Sequence, residues 1–135
     1  MRFFLFFLLL INYATSSFEV VMVKTTLIIQ DSLIAAIIHV ESRGDSMAYN
    51  AKEDAVGVLQ IRPIMMREVN RLLKENKYTL ADRWSKSKSI EMFNVIKAHT
   101  TNPTNERLAR NWNGGWNGYK KKSTLKYWNK VKTQL

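Results

Sequence analysis

Asp31-Ser32-Leu33-Ile34-Ala35-Ala36-Ile37-Ile38-His39-Val40-Glu41-Ser42-Arg43-Gly44 carries the clearest helical pattern in this chain. Leu33, Ala36, Ile37 and Val40 recur at three- and four-residue spacing, the period of a helix packed along one side. Asp31 stands where an N-cap belongs, and Gly44 supplies the stop. Glu41 continues the apolar stripe, four residues after Ile37, and falls in the last turn. A carboxylate there loses hydration and meets the negative end of the helix dipole, and both effects raise its pKa. A carboxyl group still protonated near neutral pH is what general acid attack on a glycosidic oxygen requires. The same pattern suits a glutamate that reaches solvent at the edge of the core, and periodicity alone leaves both readings open.

Beyond Gly44, residues 44–60 read as a polar loop with Gly57 near its end. Pro63 suits the first turn of a second helix, on which Met65, Val69, Leu72 and Leu73 share a face. Residues 74–88, polar and basic apart from Leu80 and Trp84, read as a connection containing about one helical turn. A third helix fits Ser89 to about His99, with Ile90, Phe93 and Ile96 inward. Thr100-Thr101-Asn102-Pro103 is a linker. Asn105 to Trp112 and Thr124 to Lys132 make two short helices, divided by turns at Gly114-Gly115 and Gly118. No strand pair stands out, and the expectation is an all-α domain of about five or six helices.

The chain has 135 residues, enough for one domain. Without cysteine it has no disulfide framework and no thiolate metal site, and with His39 and His99 as its only histidines it lacks a histidine-rich metal centre. No metal or other cofactor is expected. Met1-Arg2 precede nine apolar residues, Phe3 to Ile11, and small residues follow at Ala14 and Ser16. That pattern fits an export signal over residues 1–16, since nine apolar residues fall well short of the ~20 that span a bilayer. Residues 17–30 are a lead-in of uncertain structure, and residues 31–135 form the domain. The signal implies a periplasmic or extracellular protein that meets the membrane transiently.

Glu41-Ser42 at a helix end, followed by Gly57-Val58-Leu59-Gln60-Ile61 and Pro63, resembles the catalytic segment of the soluble lytic transglycosylase domains, members of the lysozyme-like superfamily. That family is usually worded Glu-Ser, then Gly-Leu-Met-Gln and a nearby proline. Asn111-Trp112-Asn113-Gly114-Gly115 resembles its Tyr-Asn-Ala-Gly element, and Tyr127-Trp128 with Lys130-Val131 its closing helix. The three elements come in the family's order and cover nearly the whole chain after the signal.

The resemblance implies a lysozyme-like fold with a substrate cleft, and an enzyme that cuts the β-1,4 bond between N-acetylmuramic acid and N-acetylglucosamine in peptidoglycan glycan strands. It would make Glu41 the general acid and then the base, giving 1,6-anhydro ends without water. Ser42 would hold the glutamate or a substrate amide, while Gln60 and the backbone around Gly57 would line the cleft floor. Asn113 would bind substrate opposite the acid, Trp112 takes the place of the family tyrosine, and Tyr127 would pack or hydrogen-bond near Glu41. Gly-Val-Leu-Gln for Gly-Leu-Met-Gln is a conservative change. Trp112 is a larger departure, because an indole offers an N–H where the tyrosine has a hydroxyl.

Goose-type lysozymes, in the same superfamily, carry an aspartate in the loop after the acid. Asp54 and Asp45, with Glu53 beside the former, are therefore candidates for a second carboxylate in a hydrolytic muramidase, whose geometry depends on the carboxylate spacing. Loop solvation and local capping explain the same acids. Among Trp112, Trp116, Tyr119, Tyr127 and Trp128, Trp116 in its Gly-rich turn is the choice for an exposed ring that stacks on sugar.

The formal net charge is +10, and from Arg107 onward eight Lys or Arg meet no Asp or Glu. Such a surface attracts polyanions, and Lys120-Lys121-Lys122 suits either solvent or wall carboxylates. A cationic cell-wall-binding module without activity is the competing class. Nucleic acid is not expected, given the apparent signal and the lack of a basic recognition helix. The chain is expected to act as a monomer, either freely or for an envelope-spanning secretion or phage machine.

Overall fold

A computed structural model describes residues 32–135. The expected signal, the lead-in and the Asp31 cap lie outside the described residues. Helix α1 runs through residues 32–42. Leu33, Ile34, Ala36 and Ile37 are buried while Ala35 and His39 face solvent, as the stripe predicts. Helix α2, Pro63–Leu73, starts with proline just inside its first turn, behind an extended Arg62. Met66 and Val69 are its deepest residues, whereas Met65 and Leu73 pack at the edge of the core. The inward face is therefore turned slightly from the Met65–Leu72 line expected.

Helix α3, Lys86–Ala98, begins a turn earlier than its apolar period suggests. Its first turn is Lys-Ser-Lys, which carries no apolar signal. The start is set instead by the Ser85 hydroxyl, which accepts from the Lys88 N–H at 3.4 Å. Helix α4, Asn105–Gly114, is capped in the same way by Thr104, and α5 spans Leu125–Lys132. Short 3-10 turns occupy Ala81–Trp84, Gly118–Lys120 and Lys122–Thr124. Leu33–Leu135 form one compact unit, with Ile37, Leu59, Ile61, Val69, Phe93 and Val131 all at most 1 % exposed at its centre. The helical architecture agrees with the all-α expectation.

The segment after α1 differs from the expected polar loop. Tyr49–Asn50 pairs antiparallel with Ala55–Val56, and Val56 bridges on to Ile61. Ala55, Val56, Val58, Leu59 and Ile61 are buried, so the second half of this segment belongs to the core. Its turn depends on Gly57, whose φ of +75° suits glycine and whose absent Cβ leaves room for the Arg83 carbonyl. Arg83, 5 % exposed, fastens the hairpin from behind: Nη1 donates to the carbonyls of Asp54 at 2.7 Å and Ile61 at 3.1 Å.

A second fixed point joins α4 to the turns before α5. The buried Thr124 Oγ1 accepts from Arg110 Nε at 3.0 Å and lies 2.7 Å from the Gly118 carbonyl. Gly118 itself packs against the Arg110 backbone with no space for a Cβ. Among the described residues no helix is long and apolar enough to cross a membrane.

Candidate active site

Helix α1 delivers Glu41 to the wall of a polar cavity of about 150 Å³. Asn50 and Glu53 from the hairpin, Gln60 and Arg62 ahead of α2, and Asn113 at the end of α4 share that cavity. Tyr127 of α5 donates its hydroxyl hydrogen to Glu41 Oε1 at 2.7 Å. Burial is the largest influence on the carboxyl group and pushes its pKa up to about 6. The Tyr127 hydrogen bond pulls the other way, Glu53 adds to the rise, and the charges of Arg62 and Lys130 oppose it. Tyr127 is itself pushed well above the ordinary phenol range by burial and by Glu41, so it stays protonated and remains a donor.

Other residues singled out in the sequence hold the site together from behind. Ser42 Oγ donates toward the Val58 carbonyl at 2.9 Å and accepts from the Gly44 N–H at 3.1 Å. It ties the end of α1 to the hairpin segment. Gly57 is buried outside the cavity lining, and its carbonyl accepts from Gln60 Nε2 at 3.1 Å. A second bond from Gln60 Nε2 reaches the Ala48 carbonyl, also at 3.1 Å, so the glutamine braces the loop while lining the cavity. Trp112 is 3 % exposed, packs against Phe93 with centroids 5.1 Å apart and the rings tilted by 55°, and gives its indole N–H to the Leu59 carbonyl at 3.3 Å. Its edge lines the cavity, but its N–H is already used within the fold.

The second carboxylate lining this cavity is Glu53, where the sequence reading points to Asp54 or Asp45. Asp54 pairs with Arg83 at 3.6 Å, and Asp45 accepts from the Met47 N–H at 2.8 Å as a loop cap; neither lines the cavity. Glu53 and Asp54 are neighbours in the turn between the two strands, where Asp54 has a φ of +47°; Glu53 reaches the cavity and Asp54 reaches Arg83. Glu53 lies 4.0 Å from Arg62. Arg62 and Asn50 escaped notice in the sequence because their place depends on the two-residue strands and on the entry to α2. The proline after Arg62 was the available signal, since it marks the residue before a helix start.

Arg62, Met65, Trp112 and Asn113 also line a larger cavity of about 500 Å³, which continues past Ile64 and Ile96 to Trp116. Trp116 is exposed, as expected of a sugar-stacking ring, and it is also pinned: Nε1–H donates to Glu68 Oε1 at 2.7 Å. Arg71 grips both oxygens of Glu68 at 2.7 Å. That grip, helped by the indole N–H, holds the Glu68 carboxyl down to about 2. Among the described residues, no group of three His, Asp or Glu gathers in a way that could hold a metal ion.

No curated protein matches the chain. The family model described as "Transglycosylase SLT domain" matches residues 22–130. That match takes in α1 to α4, most of α5, the hairpin and the Glu41 cavity, and the chain belongs to the transglycosylase SLT domain family, the lysozyme-like lytic transglycosylases of peptidoglycan.

Proposed function

We propose that this chain cleaves the β-1,4 bond between N-acetylmuramic acid and N-acetylglucosamine without consuming water, with Glu41 as acid and then base. The observation that carries the reading is Glu41 itself, half-buried in a polar cavity, hydrogen-bonded by Tyr127 and raised to about 6. Such a group holds its proton in mildly acidic solution and can give it to the bridging oxygen as the C1–O bond breaks. The carboxylate left behind then takes the proton from the 6-hydroxyl of the muramoyl ring. That oxygen closes on C1, giving the 1,6-anhydro end and returning Glu41 to its starting form. Asn113 and Gln60 would hold the sugar amides and hydroxyls, and Trp116 would support a ring in the larger cavity.

Glu53 gives a second reading its specific ground. A carboxylate in the same cavity as the acid could direct a water at C1 or stabilise positive charge there, as in a hydrolytic muramidase. Glu53 lines that cavity beside Arg62, whose guanidinium lies 4.0 Å away. In either case the protein would act as an exported monomer, through a signal over residues 1–16, on its own or for an envelope-spanning secretion or phage machine. The competing role is a silent cationic wall-binding module.

Mass spectrometry of the muropeptides released from purified peptidoglycan, with Glu41→Gln in parallel, separates these readings. Ends in 1,6-anhydromuramic acid, absent from the Glu41→Gln digest, are the expected result. Reducing ends would favour the muramidase and make Glu53→Gln the next variant. Retention on peptidoglycan without release of any product would leave the binding module.

A further inference from the structure

A third cavity, of about 180 Å³, opens on the far side of Trp116. Asn111 and Trp116 line both this cavity and the large one and so form the wall between them. Because the large cavity shares Arg62 and Asn113 with the Glu41 cavity, three concavities run in series from the acid past the pinned tryptophan. Their charge changes along the way. Glu41 and Glu53 line the first beside Arg62, and Glu68 the second beside Arg62 and Lys121. Among the described residues no Asp or Glu lines the third, whose cations are Arg107 and Lys120.

Arg107 is firmly placed. Its Nη1 donates to the Thr101 carbonyl at 2.7 Å, and its guanidinium carbon lies 4.7 Å from the centre of the Tyr119 ring. Arg110 approaches the same ring at 4.9 Å, but Glu106 matches its charge at 2.7 Å. Neither Arg107 nor Lys120 has a carboxylate partner among the described residues. With one hydrogen bond made, the guanidinium fork keeps donors for a planar or tetrahedral oxyanion. Positive charge without a carboxylate partner, in a recess that shares Asn111 and Trp116 with the large cavity, suits an oxyanion.

We propose that this third cavity binds an oxyanion carried by the glycan strand away from the cleaved bond, a stem-peptide carboxylate or a wall-polymer phosphate. The substrate class would then be acid-bearing strands rather than bare glycan. This rests on the glycan-cleaving reading for its source of ligand, while the binding itself can be measured without any cleavage.

The test is an NMR titration of the full chain carrying Glu41→Gln at low salt, with a synthetic stem tetrapeptide and separately with inorganic phosphate. The readouts are the Trp116 indole N–H and the backbone amides of Thr101, Arg107 and Lys120. Saturable shifts at these groups are expected, and whether peptide, phosphate or both produce them identifies the source. Lys120→Gln, at an exposed side chain that holds no fold contact, should weaken binding about threefold or more. Arg107→Lys, which keeps the charge and loses the fork, should weaken it as well. Shifts scattered over Lys126 and Lys130, affinity unchanged in both variants, or equal binding of a peptide with its carboxyl groups amidated would each overturn the proposal. Absence of binding in a protein whose wild-type form cleaves strands would overturn it too, while leaving the proposed cleavage intact.

Discussion

Glu41 interrupts an otherwise apolar helix face, and its partner Tyr127 lies 86 positions further along the chain. Burial raises the folded-state pKa to about 6 from an ordinary 4.5, so the native state holds this proton more tightly than the unfolded chain does. Its contribution to stability is therefore greatest below about pH 4.5 and declines as pH rises toward 6, by about 2 kcal/mol in all. Glu41→Gln should abolish that slope, leaving the variant the more stable form at pH 7.5 by a similar amount in denaturant unfolding, with no advantage at pH 4. Its turnover should fall about 10²–10⁴-fold, the usual contribution of a positioned acid. Activity of the wild type should decline as pH rises through about 6, because the acid must start protonated. Tyr127→Phe removes a bond that favours the carboxylate, so the alkaline limb of the pH profile for kcat/KM should move upward. A limb that stays in place would show that another group sets it. The unusual position of Glu41 was legible from helical period alone. Tyr127 was legible only through the family resemblance, because nothing local marks a contact across so much sequence.

The helices illustrate what local sequence can and cannot convey. The apolar period placed α1, α2 and α5 closely, and Thr104 and Ser85 set starts that a count of apolar residues does not reveal. The hairpin stayed hidden because strands of two residues carry no alternation to read. Arg83, in a stretch that reads as a polar connection, turns out to be the buried brace of that hairpin. Arg83→Met should cost about 3 kcal/mol, since it removes the side-chain donor of the Asp54 carbonyl and leaves the Ile61 carbonyl with the Val56 N–H alone. Gly57→Ala should cost at least about 2 kcal/mol through its positive φ and the clash with the Arg83 carbonyl. Asp54→Asn, at a half-exposed ion pair, should cost less than about 1 kcal/mol and leave the products unchanged. Urea unfolding of the three variants checks the order, and a large loss in Asp54→Asn would mean that the carboxylate, rather than the arginine's bonds to backbone, holds the hairpin.

At the scale of the whole molecule, α1, the hairpin, the entry to α2 and the end of α4 each contribute to the wall of the Glu41 cavity, and α5 supplies the Tyr127 hydroxyl that bonds the acid. Their convergence explains why single motifs say little about Arg62 and Glu53: each is ordinary in its own segment and matters through what the others bring beside it. The charge asymmetry was plain in composition, but that Arg107 lacks a counter-charge while Arg110 has one required the fold. In the proposed reaction the muramoyl 6-hydroxyl, and not water, closes on C1 with Glu41 as the proton carrier. Digestion of purified peptidoglycan in water labelled with heavy oxygen, followed by mass spectrometry of the new ends, addresses it most directly. Anhydro ends carrying no label are the predicted result, and reducing ends carrying one labelled oxygen would contradict it.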